Sequence, residues 1–410
     1  MAYLPVRLSI SSRALRCWAV ACVLLLHAMP AWARPVLRSF PAAVLQSYAS
    51  VVRTGEIAIV ETDSAGRALQ ITLLGYAAAP PPAVYALVAD PLRYPRYVRN
   101  LTRSDVERRP DGSMLNRWRL TFPIGSFDGT DEVRLISGGE GAAPGTGAVE
   151  MRAVGEGKQG TTRWEFLPLP GGGTLVVNYG YYDPLDNAFL RVMIGQDPAL
   201  DAGFNLAGGL ALVRGLLAEA GREARASGLQ LAAPSAGAAP DFGPLLARGT
   251  VAVVRTGGQG QLVDVSVVER VSAAAQHMQE LVRAPENWPR FLHTVKRVDV
   301  TQRDPAGLEY DMTVAGFLID VVTTFRMVFI PGGADTLAIG GAVKGARFRW
   351  DIRPDPGGSV VVWRGNLHLT DTSRMLRAML RIEPSFEHSA NISMGLISVR
   401  SLAAQALPAR

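Results

Sequence analysis

The sequence predicts an α+β protein of two tandem domains, each an antiparallel curved sheet of about seven strands wrapped on a long C-terminal helix. Three observations predict this fold class. Most of the chain is duplicated, each copy opens on segments with alternating apolar residues, and each copy ends in an amphipathic helix. The length of 410 residues suits two or three domains. Hydrophobic residues make up 48% of the chain, so it can bury sizeable cores.

Residues 1–33 have the pattern of a cleaved signal peptide. Three arginines and no acidic residue are followed by ten apolar residues at 17–26 and by Ala-Trp-Ala at 31–33. The apolar run is shorter than the roughly 20 residues of a membrane-spanning helix. We expect cleavage after Ala33 and a periplasmic or secreted location in a bacterium. An uncleaved membrane anchor is the alternative.

Charge and cysteine content exclude several functions. The formal net charge is +6, and no basic run with interleaved aromatic residues is present, so we expect no nucleic-acid partner. Both cysteines, Cys17 and Cys22, lie in the signal segment. The mature chain would therefore have neither a disulfide nor a thiol nucleophile.

The rest of the chain consists of two copies of one pattern. Residues 55–60 resemble residues 249–254, and the offset of 194 continues without a gap through 84–106. From residue 163 onward the offset is 186. The simplest explanation is a longer loop in the first copy, at 138–147.

This pattern sets the predicted domain boundaries. We expect one domain at 45–225 and the other at 246–408. Residues 226–243 are rich in Ala, Pro and Gly and are predicted to form the linker.

Each element of one copy follows from local patterns. Leu69, Ile71 and Leu73 alternate with polar residues, as a half-buried strand does, and a shorter strand precedes them. A short helix, a second helical turn and a series of strands separated by Gly- and Pro-containing turns follow. A long amphipathic helix from Pro198 to about Ala220 ends the first copy.

This order of elements resembles the START-like or SRPBCC superfamily, the helix-grip fold. The resemblance rests on residues 90–97 and 284–291, on the Arg-Trp-Glu/Asp strands that begin at Arg163 and Arg349, and on the terminal helices. It implies a sheet of about seven strands, a hydrophobic cavity under the last helix, and binding of lipids or other apolar molecules. The second copy departs from the pattern at Ala284, where the family and the first copy favour Asp.

A sheet wrapped on one helix leaves a gap between them that can hold a ligand. The residues that we expect to line this gap are Val84, Leu87, Tyr94, Tyr97, Trp118, Phe122, Trp164, Leu206, Leu210 and Val213 in the first copy, and Met278, Leu281, Trp288, Phe291, Phe317, Trp350, His388, Ile392, Leu396 and Val399 in the second.

No catalytic or metal-binding constellation is evident in the sequence. His27 lies in the signal segment, and the other four histidines are all in the second copy, without ligand-like spacing. His388 shares a helical face with Ile392 and Val399. It either points into the cavity as an acid or base, or is a lone, partly exposed helix residue. We expect no cofactor and no metal, and the first copy, which lacks histidine, is predicted to be the pure binding module.

The preferred function is therefore binding or transport of a lipid or another apolar small molecule in the periplasm, with transient membrane contact. One alternative is an enzyme resembling aromatase/cyclases that acts on a polyketide-like or other apolar substrate. A second is a non-catalytic interaction module whose cavities are filled by side chains. Open apolar cavities would favour the first function, and polar groups converging around His388 would favour the enzyme.

Overall fold

The computed structural model describes residues 37–405 except for short stretches. The stretches outside the description are 64–65, 123–124, 138–146, 156–159, 184–198, 229–239, 258–259, 316–319, 370–376, 378–379 and 382–384. We call residues 37–228 the first half and residues 240–405 the second half. Within the described residues, no helix is both long enough and apolar enough to cross a membrane.

The described strands of both halves form one antiparallel sheet of sixteen strands. Each half contributes eight strands, one more than the sequence predicted. The first half has β1 (Gly55–Thr62), β2 (Ala68–Ala77), β3 (Leu101–Arg108), β4 (Met114–Phe122), β5 (Gly125–Ile136), β6 (Ala148–Ala153), β7 (Gly160–Pro168) and β8 (Thr174–Tyr182). The second half has β9 (Thr250–Thr256), β10 (Leu262–Val271), β11 (Val295–Asp304), β12 (Gly307–Val314), β13 (Val321–Ile330), β14 (Gly333–Gly341), β15 (Arg347–Asp355) and β16 (Gly358–Asn366).

Apart from one additional short helix at the start of the first half, the described helices repeat in the same order in both halves. The α-helices are α1 (Ala42–Gln46), α2 (Ala49–Val52), α3 (Pro81–Val88), α4 (Ala199–Ala226), α5 (Gly243–Leu246), α6 (Ala275–Arg283) and α7 (Ser385–Gln405). A 3-10 helix follows α3 at Pro91–Arg96 and α6 at Pro285–Arg290. These findings confirm two tandem helix-grip-like domains of the α+β class.

Local sequence explains where these elements begin and end. The Asp90 side chain accepts a hydrogen bond from the Leu92 backbone N–H at 3.2 Å and caps the first 3-10 helix. Ala284, at the equivalent position, makes no side-chain cap. The turn between β3 and β4 needs Gly112, whose φ is 81°.

The helix α4 extends further than the sequence predicted, to Ala226 rather than about Ala220. Its apolar stripe continues because Leu216, Ala220 and Ala224 are also buried, at a spacing of four residues. These residues extend the packed face beyond the Leu and Val residues on which the prediction was based.

The two faces of the sheet have separate cores. On the inner face, strand residues such as Val60 and Leu73 pack with the long helices α4 and α7. On the outer face, Ile57 and Ile59 pack with the short helices α1, α2 and α5 near Tyr48 and Leu245. The central strands are therefore covered on both sides.

The strands β1 and β9 join the halves at the centre of the sheet. They pair antiparallel from Gly55, opposite Arg255, to Val60, opposite Thr250. Helix α4 packs against α7, where a Cβ added at Gly203 would lie 2.6 Å from the Ser393 hydroxyl oxygen. The halves thus form one continuous structure at three levels: outer helices, sheet and inner helices.

Two equivalent arginines, one in each half, donate hydrogen bonds to a hairpin of the other half. Arg214 on α4 donates to the carbonyl oxygen of Gly260 at 2.9 Å. Arg400 on α7 donates to the carbonyl oxygen of Gly66 at 3.5 Å and to the Thr62 hydroxyl. Because Gly260 is the repeat equivalent of Gly66, these contacts are reciprocal.

The outer edges of the sheet, β3 and β11, carry paired charges. Arg103 donates to Asp105 on β3, and Arg297 donates to Asp299 at 2.8 Å on β11. These side chains are exposed. Both free edges therefore present charged groups to solvent.

Candidate ligand-binding site

Four buried polar residues lie on the inner face of the first half. Asn116 on β4 is directly opposite Asp131 on β5. Thr162 and Asn178 lie on the adjacent strands β7 and β8, with Asn178 directly opposite Trp164. All four are at most 8% exposed. Buried polar groups on a face otherwise used for apolar packing require hydrogen-bond partners.

The second half has an aromatic residue at each of these positions. Strand register equates Asn116 and Asp131 with Tyr310 and Phe325, which are also directly opposite each other. It equates Thr162 with Phe348, since both lie opposite a glycine of the next strand. It equates Asn178 with Trp363, since they lie opposite Trp164 and Trp350, the equivalent tryptophans of the preceding strands. These four pairs of positions distinguish the two inner faces.

The four aromatic side chains form a continuous row across the second half. Ring centroids are 5.3 Å apart for Tyr310 and Phe325, 6.1 Å for Phe325 and Phe348, and 5.5 Å for Phe348 and Trp363. Trp288 extends the row at 5.9 Å from Tyr310. At these positions the second half is filled by its own side chains. The residues of the first half at these positions are smaller and polar.

Asp131 is held by a tryptophan that lies over a glycine. The Trp118 Nε1–H donates to Asp131 Oδ2 at 2.8 Å. A Cβ at Gly129, opposite Trp118, would overlap the indole ring, so only glycine permits this placement. Burial raises the pKa of Asp131 to about 6, against the smaller lowering by the Trp118 hydrogen bond. The carboxyl can therefore change protonation state near neutral pH.

Two tyrosines add hydroxyl groups to the same region. The Tyr182 ring lies over Gly160, where a Cβ would overlap it. Burial raises the pKa of Tyr182 well above its usual value, and the Asp131 carboxylate raises it further. Burial does the same for Tyr94, whose hydroxyl donates to the Val88 carbonyl oxygen at 2.7 Å. Both phenols therefore stay protonated and neutral.

Buried polar atoms of this face that lack a hydrogen-bond partner among the described residues include Asp131 Oδ1, Trp164 Nε1 and Asn178 Nδ2. The first is an acceptor when ionised, and the other two are donors. An unpaired buried polar atom costs about 1–3 kcal/mol. A ligand with oxygen or hydroxyl groups, or ordered water, would supply the missing partners.

The structure places most of the predicted lining residues of the first half in one buried cluster. Its members are Val84, Leu87, Tyr94, Trp164, Leu206, Leu210 and Val213. Tyr97 and Trp118 are half-buried. The side chain of Phe122 lies outside the described residues. Their contact with a ligand remains a prediction.

The predicted lining residues of the second half are also largely buried. Met278, Trp288, Phe291, Trp350, Ile392, Leu396 and Val399 belong to the core, and Leu281 packs against it. Phe317 lies outside the described residues. His388 is only 3% exposed, so its interpretation as a partly exposed helix residue was wrong. His388 is buried because it lies on the same face of α7 as Ile392 and Val399, which pack into the core.

Sequence reasoning missed the polar residues of the first half. Asn116, Asp131, Thr162, Asn178 and Tyr182 were not predicted, because they belong to no catalytic motif and to no apolar pattern in the sequence. The duplication contained the signal, since an offset of 194 sets Asn116 against Tyr310 and Asp131 against Phe325. Among the described residues, no three His, Cys, Asp or Glu side chains are grouped to hold a metal ion.

Comparison with known protein families identifies both halves. A family model described as polyketide cyclase / dehydrase and lipid transport matches residues 77–203. A second model with the same description matches residues 263–382. No curated protein matches the chain.

Several solved structures are similar to this chain. The di-domain ARO/CYC StfQ from the steffimycin biosynthetic pathway is 17% identical, with 82% of this chain and 97% of that chain covered and a TM-score of 0.29. The di-domain ARO/CYC BexL from the BE-7585A biosynthetic pathway is 15% identical, with 83% and 99% covered and a TM-score of 0.27. A STAR-related lipid transfer protein fragment from Xanthomonas axonopodis is 12% identical, with 40% and 93% covered and a TM-score of 0.31.

Proposed function

This chain belongs to the polyketide cyclase / dehydrase and lipid-transport family in two tandem copies, and we propose that its first half binds an apolar small molecule non-covalently. One observation carries the proposal. Buried polar residues of the first half occupy the positions that a row of aromatic rings fills in the second half. The ligand would be largely apolar, with a few oxygen or hydroxyl groups that pair with Asp131, Trp164 and Asn178.

The energetics suit a carrier. Burial of about ten CH₂ groups contributes on the order of 8 kcal/mol, at roughly 0.8 kcal/mol each, before the cost of association. The polar atoms on the inner face would orient the ligand and select its functional groups. Micromolar affinity is then within reach without covalent chemistry.

In this proposal the second half is a scaffold and not a second ligand site. Its aromatic row occupies the equivalent volume, and Trp363 and Phe325 are almost completely buried. This differs from a simple pair of cavities, in which both halves would take up ligand.

We also propose that the protein acts outside the cytoplasm as a lipid or small-molecule carrier with transient membrane contact. The support is the arrangement of basic, apolar and Ala-x-Ala segments at residues 1–33. Mass measurement of the protein from fractionated cells tests this. A periplasmic form that begins at Arg34 supports export, and a full-length cytoplasmic form contradicts it.

The ligand proposal is tested by exchanging the site for its filled counterpart. The variant Asp131→Phe/Thr162→Phe/Asn178→Trp places the second half's residues in the first half. Protein purified from its natural host is analysed by native mass spectrometry and solvent extraction. We expect a bound apolar molecule on the wild type and none on this variant.

A matched control changes the second half instead. Tyr310→Phe removes one hydroxyl from the aromatic row and keeps its volume, so ligand content should stay unchanged. Equal ligand content in the filled variant and the wild type, or ligand-free wild type that takes up nothing from liposomes, would contradict the proposal. Circular dichroism of each variant confirms that it is folded.

A second candidate function is supported by Asp131 alone. A buried carboxyl with a pKa of about 6 can take a proton from a carbon next to a carbonyl group. The resulting carbanion could attack a second carbonyl carbon of the same ligand and form a carbon–carbon bond as the carbonyl π bond breaks. The alkoxide oxygen formed there would take the proton back from Asp131. The Asp131→Asn variant should then still bind the ligand but no longer close its ring. Unchanged conversion in this variant would exclude the role.

A further inference from the structure

Asp131 is a buried carboxyl with one oxygen unpaired. Its side chain accepts from the Trp118 indole through Oδ2, whereas Oδ1 has no hydrogen-bond partner among the described residues. The nearest arginines along β4, Arg117 and Arg119, are exposed and pair with Glu107 and Asp128 instead. A buried carboxylate normally has a cation or several hydrogen bonds beside it. Within the described part of the chain, Asp131 has a single hydrogen bond and no ion pair.

The groups that face Asp131 from the surrounding elements carry no positive charge. Asn116 on β4 and Ala153 on β6 lie directly opposite it. Tyr94 of the 3-10 helix and Tyr182 of β8 are the titratable groups nearby. Burial raises the pKa of both phenols, and the Asp131 carboxylate adds to the effect. They stay neutral, so the described surroundings of Asp131 provide no counter-charge.

Two further unpaired groups, Trp164 Nε1 and Asn178 Nδ2, lie at a distance from Asp131 along the sheet. Strand register places Asp131, Ala153 and Gly160 in one row. Trp164 is four residues beyond Gly160 on β7, which is about 13 Å along the strand. Asn178 lies directly opposite Trp164. A ligand lying along β7 would therefore meet an acceptor near one end and donors near the other.

The fold itself does not require a carboxyl at position 131. The equivalent residue of the second half is Phe325, whose ring packs between those of Tyr310 and Phe348. An apolar residue thus completes the same face of the same fold. Burial of a charge without a counter-charge is costly, so its presence in the first half alone points to a ligand that supplies the missing partner.

We propose that the apolar ligand of the first half carries a protonated amine, which binds the unpaired oxygen of Asp131. This inference rests on the proposed function and names the polar group of the ligand. An ammonium group provides N–H donors and the missing positive charge together. An alcohol provides a donor without the charge, and a carboxylate would be repelled.

Three probes with the same alkyl chain and different end groups test the proposal. The chain from residue 34 to residue 410, cleared of bound ligand on a hydrophobic resin, is titrated by calorimetry with decylamine, 1-decanol and decanoate. The test variant is Asp131→Asn, which keeps the size of the side chain and an acceptor oxygen for Trp118. The matched control is Asp128→Asn, which removes an exposed carboxylate from the same strand.

We expect decylamine to bind about tenfold or more tightly than 1-decanol at pH 7.5, because a charge-assisted hydrogen bond forms with the carboxylate. Decanoate should bind most weakly. The preference for the amine should disappear in Asp131→Asn and persist in Asp128→Asn.

The affinity for decylamine should also depend on pH. The carboxyl has a pKa of about 6, so it is mostly protonated at pH 5 in the ligand-free protein. An alkylammonium group stays charged over this range. Decylamine should therefore bind about tenfold more weakly at pH 5 than at pH 7.5 in the wild type, and equally at both pH values in Asp131→Asn.

Two kinds of failure are distinguishable. If 1-decanol or decanoate bound as tightly as decylamine, or if the amine preference survived in Asp131→Asn, the amine inference would be overturned while binding of apolar molecules still stood. If none of the three probes bound the wild type, the proposed function would fail together with this inference.

Discussion

Ala58 and Ala252 lie directly opposite each other in the β1–β9 pair, and they are equivalent positions of the two copies. A residue can face its own equivalent only on a two-fold axis. The same relation holds for Tyr48 and Phe242 on the outer helices, whose rings are 5.4 Å apart. The halves therefore associate as the subunits of a symmetric dimer do, with one surface used twice.

This symmetry predicts that two glycines have equal structural roles. A Cβ at Gly55 would overlap the carbonyl oxygen of Val254, and a Cβ at its equivalent, Gly249, would overlap that of Val60. We expect Gly55→Ala and Gly249→Ala each to lower the free energy of unfolding by about 1–3 kcal/mol or more. Urea denaturation measures both.

Gly208 on α4 provides the control for these variants. It is exposed, and a Cβ there meets no atom within 4 Å. Gly208→Ala should raise stability by roughly 0.4–1 kcal/mol, because alanine restricts the unfolded chain. If all three variants behaved alike, close backbone approach would not be the reason for glycine at the interface.

The continuous sheet predicts that the halves stay together after the chain is cut. A protease site is introduced at residues 229–239, within the predicted linker at 226–243. Cleavage there breaks the peptide chain between the two halves. Because β1 pairs with β9 and α4 packs on α7, both fragments should elute as one species in size-exclusion chromatography. Separate elution of two folded fragments would show that the tether holds them together.

Asp131 predicts a defined dependence of stability on pH. Its folded-state pKa is about 6, above the usual value of 3.8, so the folded protein binds more protons between these values. The ionised Asp131 carboxylate lowers the free energy of unfolding by its full amount above about pH 6, and this destabilisation disappears below about pH 4. Asp131→Asn should thus be more stable than the wild type at pH 7.5, by on the order of 2–3 kcal/mol. The difference should shrink on acidification to pH 4. A constant difference across that range would contradict the assigned pKa.

The aromatic row predicts unequal costs at one equivalent pair of positions. Phe348→Ala removes a buried ring and should cost about 3–5 kcal/mol. Thr162→Ala, at the equivalent site of the first half, should cost about 1 kcal/mol or less, because little packing is lost there. Thermal unfolding of both variants compares them, and equal losses would show that the first half is as tightly filled as the second.

Much of this fold could be predicted because duplication reinforces weak local patterns. One strand is suggested by the alternation at Leu69–Leu73, and one helix by the stripe of Leu206, Leu210 and Val213. Both patterns recur at fixed offsets in the second copy, which supports both predicted elements. The pairing of the halves could not be predicted in the same way. Segments 55–60 and 249–254 are similar to each other, but similarity alone does not reveal that two strands are neighbours.

The site was harder to predict because its chemistry depends on burial. Asp131 and Asn178 are ordinary residues in the sequence, and only burial makes an unpaired carboxyl or amide unusual. His388 attracted attention as a titratable side chain, yet the unpaired polar atoms named above lie in the half without histidine. Comparing the two copies position by position, for size and polarity, would have detected the difference.

The paired charges on β3 and β11 have a consequence for assembly. A neighbouring molecule that added a strand to either edge would have to strip water from Arg103 and Asp105, or from Arg297 and Asp299. The apolar strands β1 and β9 already pair with each other. Covalent fusion keeps these partners at a high local concentration however dilute the protein becomes. The architecture therefore resists both dissociation and polymerisation.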